Sequence, residues 1–364
     1  MSKRIFNFSA GPATLPLEAL EEAQKELLNY KDLGMSVMEM SHRSAPFEAV
    51  LESAKASLTR LLSIPDTHEV LFVQGGASLQ FSMVPMNFLA GSSEAADVIE
   101  TGVWVQKAIK EMEKIGPVRV VASSKDAEYK DIPSLSRSDF NPKAPYAYIC
   151  SNNTIYGTQY HEIPDVGGLP LVADMSSDIL SKPLDISKFS LIFAGAQKNL
   201  GPAGVTVLIL RKSWLEKAAQ TPASMLSYAS YSKSNSMYNT PPTLAIYFLS
   251  LCLKQLEKRG TLSDIEKINH EKATLLYDFI DESKFYFCPV KERARSLMNP
   301  VFLMNKGGVD LEKAFVAAAK KEGLDGLKGH RLVGGLRASI YNAFPKEGIH
   351  ALIDFMKRFE KENT

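Results

Sequence analysis

Between Ser190 and Gly204 the sequence reads SLIFAGAQKNLGPAG: an apolar run, a turn of small residues presenting Lys198, and then glycine-rich backbone. A lysine at such an edge can be desolvated and act as an amine nucleophile. Upstream, LPLVADMSSD closes another apolar run on Asp174, so two neighbouring strands would deliver an amine and a carboxylate to one crevice. That pair suits pyridoxal phosphate, whose aldehyde takes a lysine and whose ring nitrogen takes an acid partner. The same two residues also fit a solvated surface lysine and an aspartate that caps a helix.

Other loops that follow apolar runs carry polar detail. In open α/β sheets the ligand crevice lies outside the strand C-termini. After EVLFVQ come Gly75, Gly76, Ala77 and Ser78, whose small side chains let backbone N–H groups approach a phosphate at the start of the next helix. Pro85 should kink or shorten that helix. After YAYIC comes SNNTIYGT, where Thr154 offers a hydroxyl, or simply closes a turn. Trp104, one of two tryptophans, follows a glycine in TGVWVQKA, where an indole can lie against a pyridine ring or pack in the core.

The elements that must position these residues alternate. An amphipathic helix over Leu17–Tyr30 is followed by the β-rich runs EVLFVQ, PVRVVA, YAYIC, LPLVAD, SLIFAG and VTVLIL, which predicts an α/β fold on a mostly parallel sheet. Beyond Pro241, helices over Leu244–Lys258 and Leu262–Asp281 lead into FYFCPV, NPVFLM and LRASIYNA, with a helix over Asp310–Glu322. This reads as a large domain over 16–260 and a smaller α+β domain over 261–364, with the arm 1–15 packing on the latter. With 364 residues and 45% hydrophobic content the chain can bury a large core. Its 42 basic and 41 acidic residues leave a formal charge of +1, which offers no bulk attraction to nucleic acid or membrane. Scattered Cys150, Cys252 and Cys288, with no secretory or spanning segment in view, lead us to expect a cytoplasmic protein with reduced thiols. No HExxH, paired CxxC, P-loop or GxGxxG pattern occurs, so no metal site is expected.

Five blocks carry a resemblance: FNFSAGPATLP at the start, SVMEMSHRS at 36–44, FAGAQKNLGPAG around Lys198, SMYNTPPT at 236–243 and GHRLVGGLRASIYNA at 329–343. In this order, over nearly the whole chain, they resemble the phosphoserine aminotransferases, class-V pyridoxal phosphate enzymes of fold type I. The resemblance implies a large domain with a mostly parallel, seven-stranded sheet. It gives Lys198 the cofactor aldehyde, Asp174 the ring nitrogen, Trp104 the ring stack, Thr154 and Gln197 polar contacts, and Gly76 and Ala77 the phosphate. Asn239 and Thr240 would reach that phosphate across a homodimer interface. Substrates would be L-glutamate and 3-phosphohydroxypyruvate, with the homologous acceptor of pyridoxine synthesis left open. Arg337 would hold the shared α-carboxylate. His42, Arg43, His330 and Arg331 would converge on the distal anion, with Ser9 near the substrate.

Some members of that family place an arginine in the glycine loop, where this chain has Ser78 and Leu79. Either His330 and Arg331 then carry more of the charge, or another basic residue moves in. Rival readings are a different fold-type-I enzyme, such as a lyase or desulfurase, and a non-catalytic α/β scaffold. A desulfurase wants a reactive cysteine on a mobile polar loop, which none of the three provides; a scaffold would be colourless when purified.

Overall fold

The computed structural model describes residues 4–219 and 223–364. The arm forms β1 (Phe6–Asn7), followed by α1 (Leu17–Glu26) and α2 (Ala45–Leu62). Then come β2 (His68–Val73), α3 (Gly76–Phe88), β3 (Ala96–Glu100), α4 (Val103–Met112), β4 (Val118–Ser123) and β5 (Ala147–Cys150). A two-strand ladder of β6 (Asn152–Asn153) and β7 (Thr158–Gln159) precedes β8 (Leu171–Asp174), β9 (Leu191–Gly195) and β10 (Thr206–Arg211). Helices α5 (Lys212–Leu215), α6 (Tyr228–Lys233), α7 (Thr243–Lys258) and α8 (Leu262–Glu282) follow. The chain ends with β11 (Tyr286–Phe287), β12 (Val301–Met304), α9 (Gly308–Lys321), β13 (Leu324–Asp325), β14 (Leu336–Arg337) and α10 (Lys346–Asn363).

Seven strands form the main sheet in the order β2-β10-β9-β8-β5-β3-β4. Only β10 runs antiparallel to its neighbours. Its connection from β9 spans just 196–205, too short for the dozen or more residues of a parallel crossover. Both faces of the sheet are covered, as period-two side-chain alternation shows in β9. Ile192 and Ala194 join the cluster built with α2 and α7, whereas Leu191 and Phe193 join the cluster built with α3 and α4. A separate apolar cluster gathers residues of α8, α9 and α10 with Phe8 of the arm. Strand β1 pairs in parallel with β13, Phe6 opposite Leu324.

Local differences from the sequence reading have physical causes. The first helix ends at Glu26, and Tyr30–Asp32 forms a separate 3₁₀ turn with Lys31 in the left-handed region. Helix α3 runs through Pro85 to Phe88. LRASIYNA contributes only the two residues of β14; Ala338, Ser339 and Ile340 instead bond to Pro300, Phe8 and Met298. Among the described residues no helix is long and apolar enough to cross a membrane, and no group of three or more potential metal ligands exists.

Candidate active site

The site forms where β2, β3, β5, β8 and β9 end. Asp174 is the last residue of β8, pairs with Phe193 of β9, and is only 5% exposed. Ser176 holds it: both the backbone N–H, at 2.9 Å, and the hydroxyl, at 2.6 Å, donate to Oδ1. The same hydroxyl accepts from the N–H of Gly195, at the end of β9. Oδ2 accepts no hydrogen bond among the described residues. A buried carboxylate with one oxygen fixed and one free suits a partner bearing N–H.

Lys198 follows in the turn after β9, half-buried, with no hydrogen bond or ion pair among the described residues. Its Nζ stands 5.3 Å from the centre of the Trp104 ring. The arm closes in from behind: Ala13 donates its N–H to the carbonyl of Gln197 at 2.9 Å. A Cβ on Gly11 would come within 3.2 Å of Lys198 Cγ, so this glycine permits the close approach.

Trp104 lies in the first turn of α4, and its Nε1 donates to Thr154 Oγ1 at 3.1 Å. Thr154 in turn accepts at its carbonyl from Arg337 Nη1 at 2.8 Å. One threonine thus ties the indole to the guanidinium. Arg337 Nε is buried without a partner, and burial holds this guanidinium below its ordinary pKa. Arg337 and His330 line a cavity of about 410 Å³ with Tyr129, Tyr156 and Leu332.

At the end of β2, Gly75 caps α3 in the left-handed region, φ 87°, where a Cβ would sit 2.5 Å from Leu79. The N–H groups of Gly76, Ala77 and Ser78 have no acceptor among the described residues, and the space around Gly76 is open. This is an anion cradle at the positive end of a helix dipole. Ala77 N lies 3.5 Å, and Gln197 Oε1 2.9 Å, from where a Cβ on Gly195 would stand, so cradle and lysine turn are adjacent.

The structure therefore brings Lys198, Asp174, Trp104, Thr154, Gln197, Gly76, Ala77, His330 and Arg337 into one connected region. Arg331 is exposed in the same loop as His330. Ser9 packs against Gly326, two residues before the Gly11 contact. Asn239 donates to Gln74 at 3.4 Å and to the Thr240 carbonyl, beside the glycine cradle of its own chain. His42 and Arg43 sit in the loop ahead of α2, and no hydrogen bond or ion pair joins them to Lys198 or Arg337 among the described residues. Two contributors escaped sequence reading. Ser176 acts only through Asp174, and Lys107, three residues beyond Trp104 on α4, places Nζ 4.6 Å from the indole centre. The i,i+3 spacing was the available signal for Lys107.

The residues fit a flat, phosphorylated aldehyde cofactor. A free amine, a buried carboxylate oxygen without a partner, an aromatic plate and an open cradle of N–H donors stand around one space.

This fold and this lysine–aspartate pair define a class: the chain belongs to the aminotransferase class-V family, whose model matches residues 5–352. Among its relatives are phosphoserine aminotransferases matched over essentially the whole chain. That of Geobacillus kaustophilus is 54% identical over 99% of both chains. The solved phosphoserine aminotransferase from Bacillus circulans subsp. alkalophilus is 49% identical, superposes with a TM-score of 0.96 and covers both chains fully. That of Trichomonas vaginalis, solved with pyridoxal phosphate bound, is 40% identical with a TM-score of 0.92 over 97% of this chain and 100% of its own.

Proposed function

We propose that this chain is a pyridoxal phosphate-dependent phosphoserine transaminase that moves the amino group of L-glutamate to 3-phosphohydroxypyruvate, giving 2-oxoglutarate and O-phospho-L-serine. The observation that carries this reading is the unpaired Lys198 amine in the turn after β9, over the Trp104 ring, with Asp174, whose Oδ2 is free, closing the adjacent strand β8. The relatives just described support it.

When bound, pyridoxal phosphate supplies an aldehyde carbon for amino-group exchange and a ring that withdraws the electron pair left when the substrate Cα–H bond breaks. Lys198 would hold the cofactor aldehyde through Nζ, and the same amine, when free, would take the proton from substrate Cα and hand it to the carbon that receives the amino group. Asp174 Oδ2 keeps the ring nitrogen protonated, and the two bonds from Ser176 fix that carboxylate. Trp104 would lie against the cofactor ring, with Thr154 holding the indole through its Nε1. Gly76 and Ala77 would offer N–H groups to the cofactor phosphate, with Gln197 beside them. Arg337, oriented through Thr154, binds the α-carboxylate common to donor and acceptor. His330 and Arg331 hold the distal anion, with Ser9 nearby.

We read the working form as a cytoplasmic homodimer with 16–260 and 261–364 as its two domains. The segment before α2 exposes Leu28 (86%), Leu33, Met35 and Met38, more apolar surface than so short a stretch leaves to solvent. A second copy covering it would carry the adjoining His42–Arg43 dipeptide into the neighbouring site, and the Asn239–Thr240 loop, held to Gln74 beside its own cradle, would lie at the same interface. A desulfurase reading lacks its thiol: burial pushes Cys150 and Cys288 up, and Cys252 up to about 12. The test is spectral. L-glutamate should convert the visible band of the purified holoenzyme, and 3-phosphohydroxypyruvate should restore it. Conversion by L-cysteine with sulfide release, and none by L-glutamate, would overturn the reading.

A further inference from the structure

We propose that Lys107 is a specificity residue of the distal-anion subsite, adding one ammonium to the recognition of the substrate phosphate. This rests on the transaminase reading and extends it. Helix α4 leaves the end of β3 with Trp104 in its first turn, and residues three apart share one helix face. Although Lys107 is exposed, its side chain folds back so that Nζ stands 4.6 Å from the indole centre, over the same ring as Lys198 Nζ at 5.3 Å. Two amines therefore attend the indole that covers the cofactor.

None of the neighbouring cations is neutralised. Among the described residues Lys107, Lys198, Arg331 and Arg337 form no ion pair, whereas thirteen ion pairs occur elsewhere in the chain. The indole under Lys107 is tied through Thr154 to Arg337, which lines one cavity with His330; in keeping with that placement, burial and then the charges of Arg337, Arg331 and Lys107 hold the His330 imidazole below its ordinary pKa. Cations gathered without carboxylates repel one another until an anion joins them, and the gain is larger for a phosphate dianion than for a carboxylate. Arg337 is committed to the α-carboxylate. Lys107, a compact point charge on a flexible stem, is the group free to follow the distal end.

The test uses the holoenzyme. Lys107→Met keeps the aliphatic stem over the indole and removes the charge; Lys107→Arg restores charge, and Lys107→Gln guards against a substitution that merely fails to fold. Each is titrated with O-phospho-L-serine and with L-glutamate, following the visible band, and with inorganic phosphate, following thermal midpoint. The expected result is a roughly tenfold weaker midpoint for O-phospho-L-serine in Lys107→Met, a smaller change for L-glutamate, a lost phosphate response, and recovery in Lys107→Arg. Equal weakening for both substrates, or none, overturns the proposal. So does loss of folding or cofactor in both Lys107→Met and Lys107→Gln, which would make the residue structural. Wild type that responds to neither substrate would instead defeat the transaminase reading itself.

Discussion

Arg337 donates through Nη1 to the carbonyl oxygen of Thr154 at 2.8 Å, so the arginine proposed for the substrate carboxylate hangs from the loop that fixes the Trp104 indole. In the proposed function, one residue would thereby register cofactor plane and substrate anchor against each other. Lysine at 337 keeps the charge but loses the planar fork that can serve both Thr154 and a carboxylate. We expect Arg337→Lys to lower kcat/KM for both substrates by roughly 100-fold, about 2.7 kcal/mol, while cofactor occupancy, read from the visible band, stays within twofold. A selective loss for one substrate would separate Arg337 from the shared carboxylate.

Ser176 links the ends of β8 and β9 through one hydroxyl, donating to Asp174 and accepting from Gly195. Alanine there leaves the Gly195 N–H without its acceptor inside the sheet. We expect Ser176→Ala to destabilise the fold by about 1–3 kcal/mol and to weaken cofactor retention, because Asp174 is then held by one bond. Equilibrium unfolding and cofactor release by dialysis measure the two effects separately.

Lys272 is wholly buried in α8 and donates to the carbonyls of Ile340, Tyr341 and Phe344, at 2.9, 2.7 and 3.3 Å. The next residue in that segment, Asn342, accepts from Arg259 at its carbonyl and donates its N–H to Asn199, the neighbour of Lys198. Methionine at 272 fits the space but takes the Lys272 donor from the carbonyls of Ile340 and Phe344, while that of Tyr341 keeps the Phe344 N–H at 2.9 Å. The expected cost is about 2–4 kcal/mol in denaturant unfolding, and Lys272→Met should lose activity no faster than it loses folded protein.

Asp178, beneath Asp174, is buried, and that burial pushes its carboxyl up to about 6 against hydrogen bonds from Ser151 and Gln159. An unfolded aspartate titrates near 3.9. Between about pH 4 and about pH 6 the folded state therefore binds more protons than the unfolded one, and stability falls as pH rises through that window, then levels. Against an Asp178→Asn reference in the same cofactor state, wild-type stability should drop by about 2–3 kcal/mol across it. A difference that is flat with pH, or that rises, would refute the assignment.

Much of the architecture was legible because burial on both faces writes itself as continuous apolar runs, as in LPLVAD and SLIFAG. Strand β3 was not, although it leads to Trp104. Asp97 interrupts it, and only the fold shows that this buried carboxylate is matched by Arg119, at 2.6 and 2.7 Å, and by the Asn141 N–H. Helices α2 and α10 went unread despite apolar positions at helical spacing, such as Ile349, Leu352, Ile353, Met356 and Phe359. Lys198 and Asp174 stood out because each closes or follows an apolar run. Ser176 is bound to Gly195, nineteen residues on, a contact no local pattern carries, whereas for Lys107 the i,i+3 spacing from Trp104 was a signal too weak by itself to mark a site.

The most direct test of the central claim is hydride reduction of the coloured holoenzyme followed by peptide mapping. The account requires the reduced cofactor to be found covalently on Lys198, with loss of the visible band and of glutamate turnover. Recovery of the label on another lysine, such as Lys107, or an unmodified Lys198 in protein that retains the bound cofactor, would contradict it.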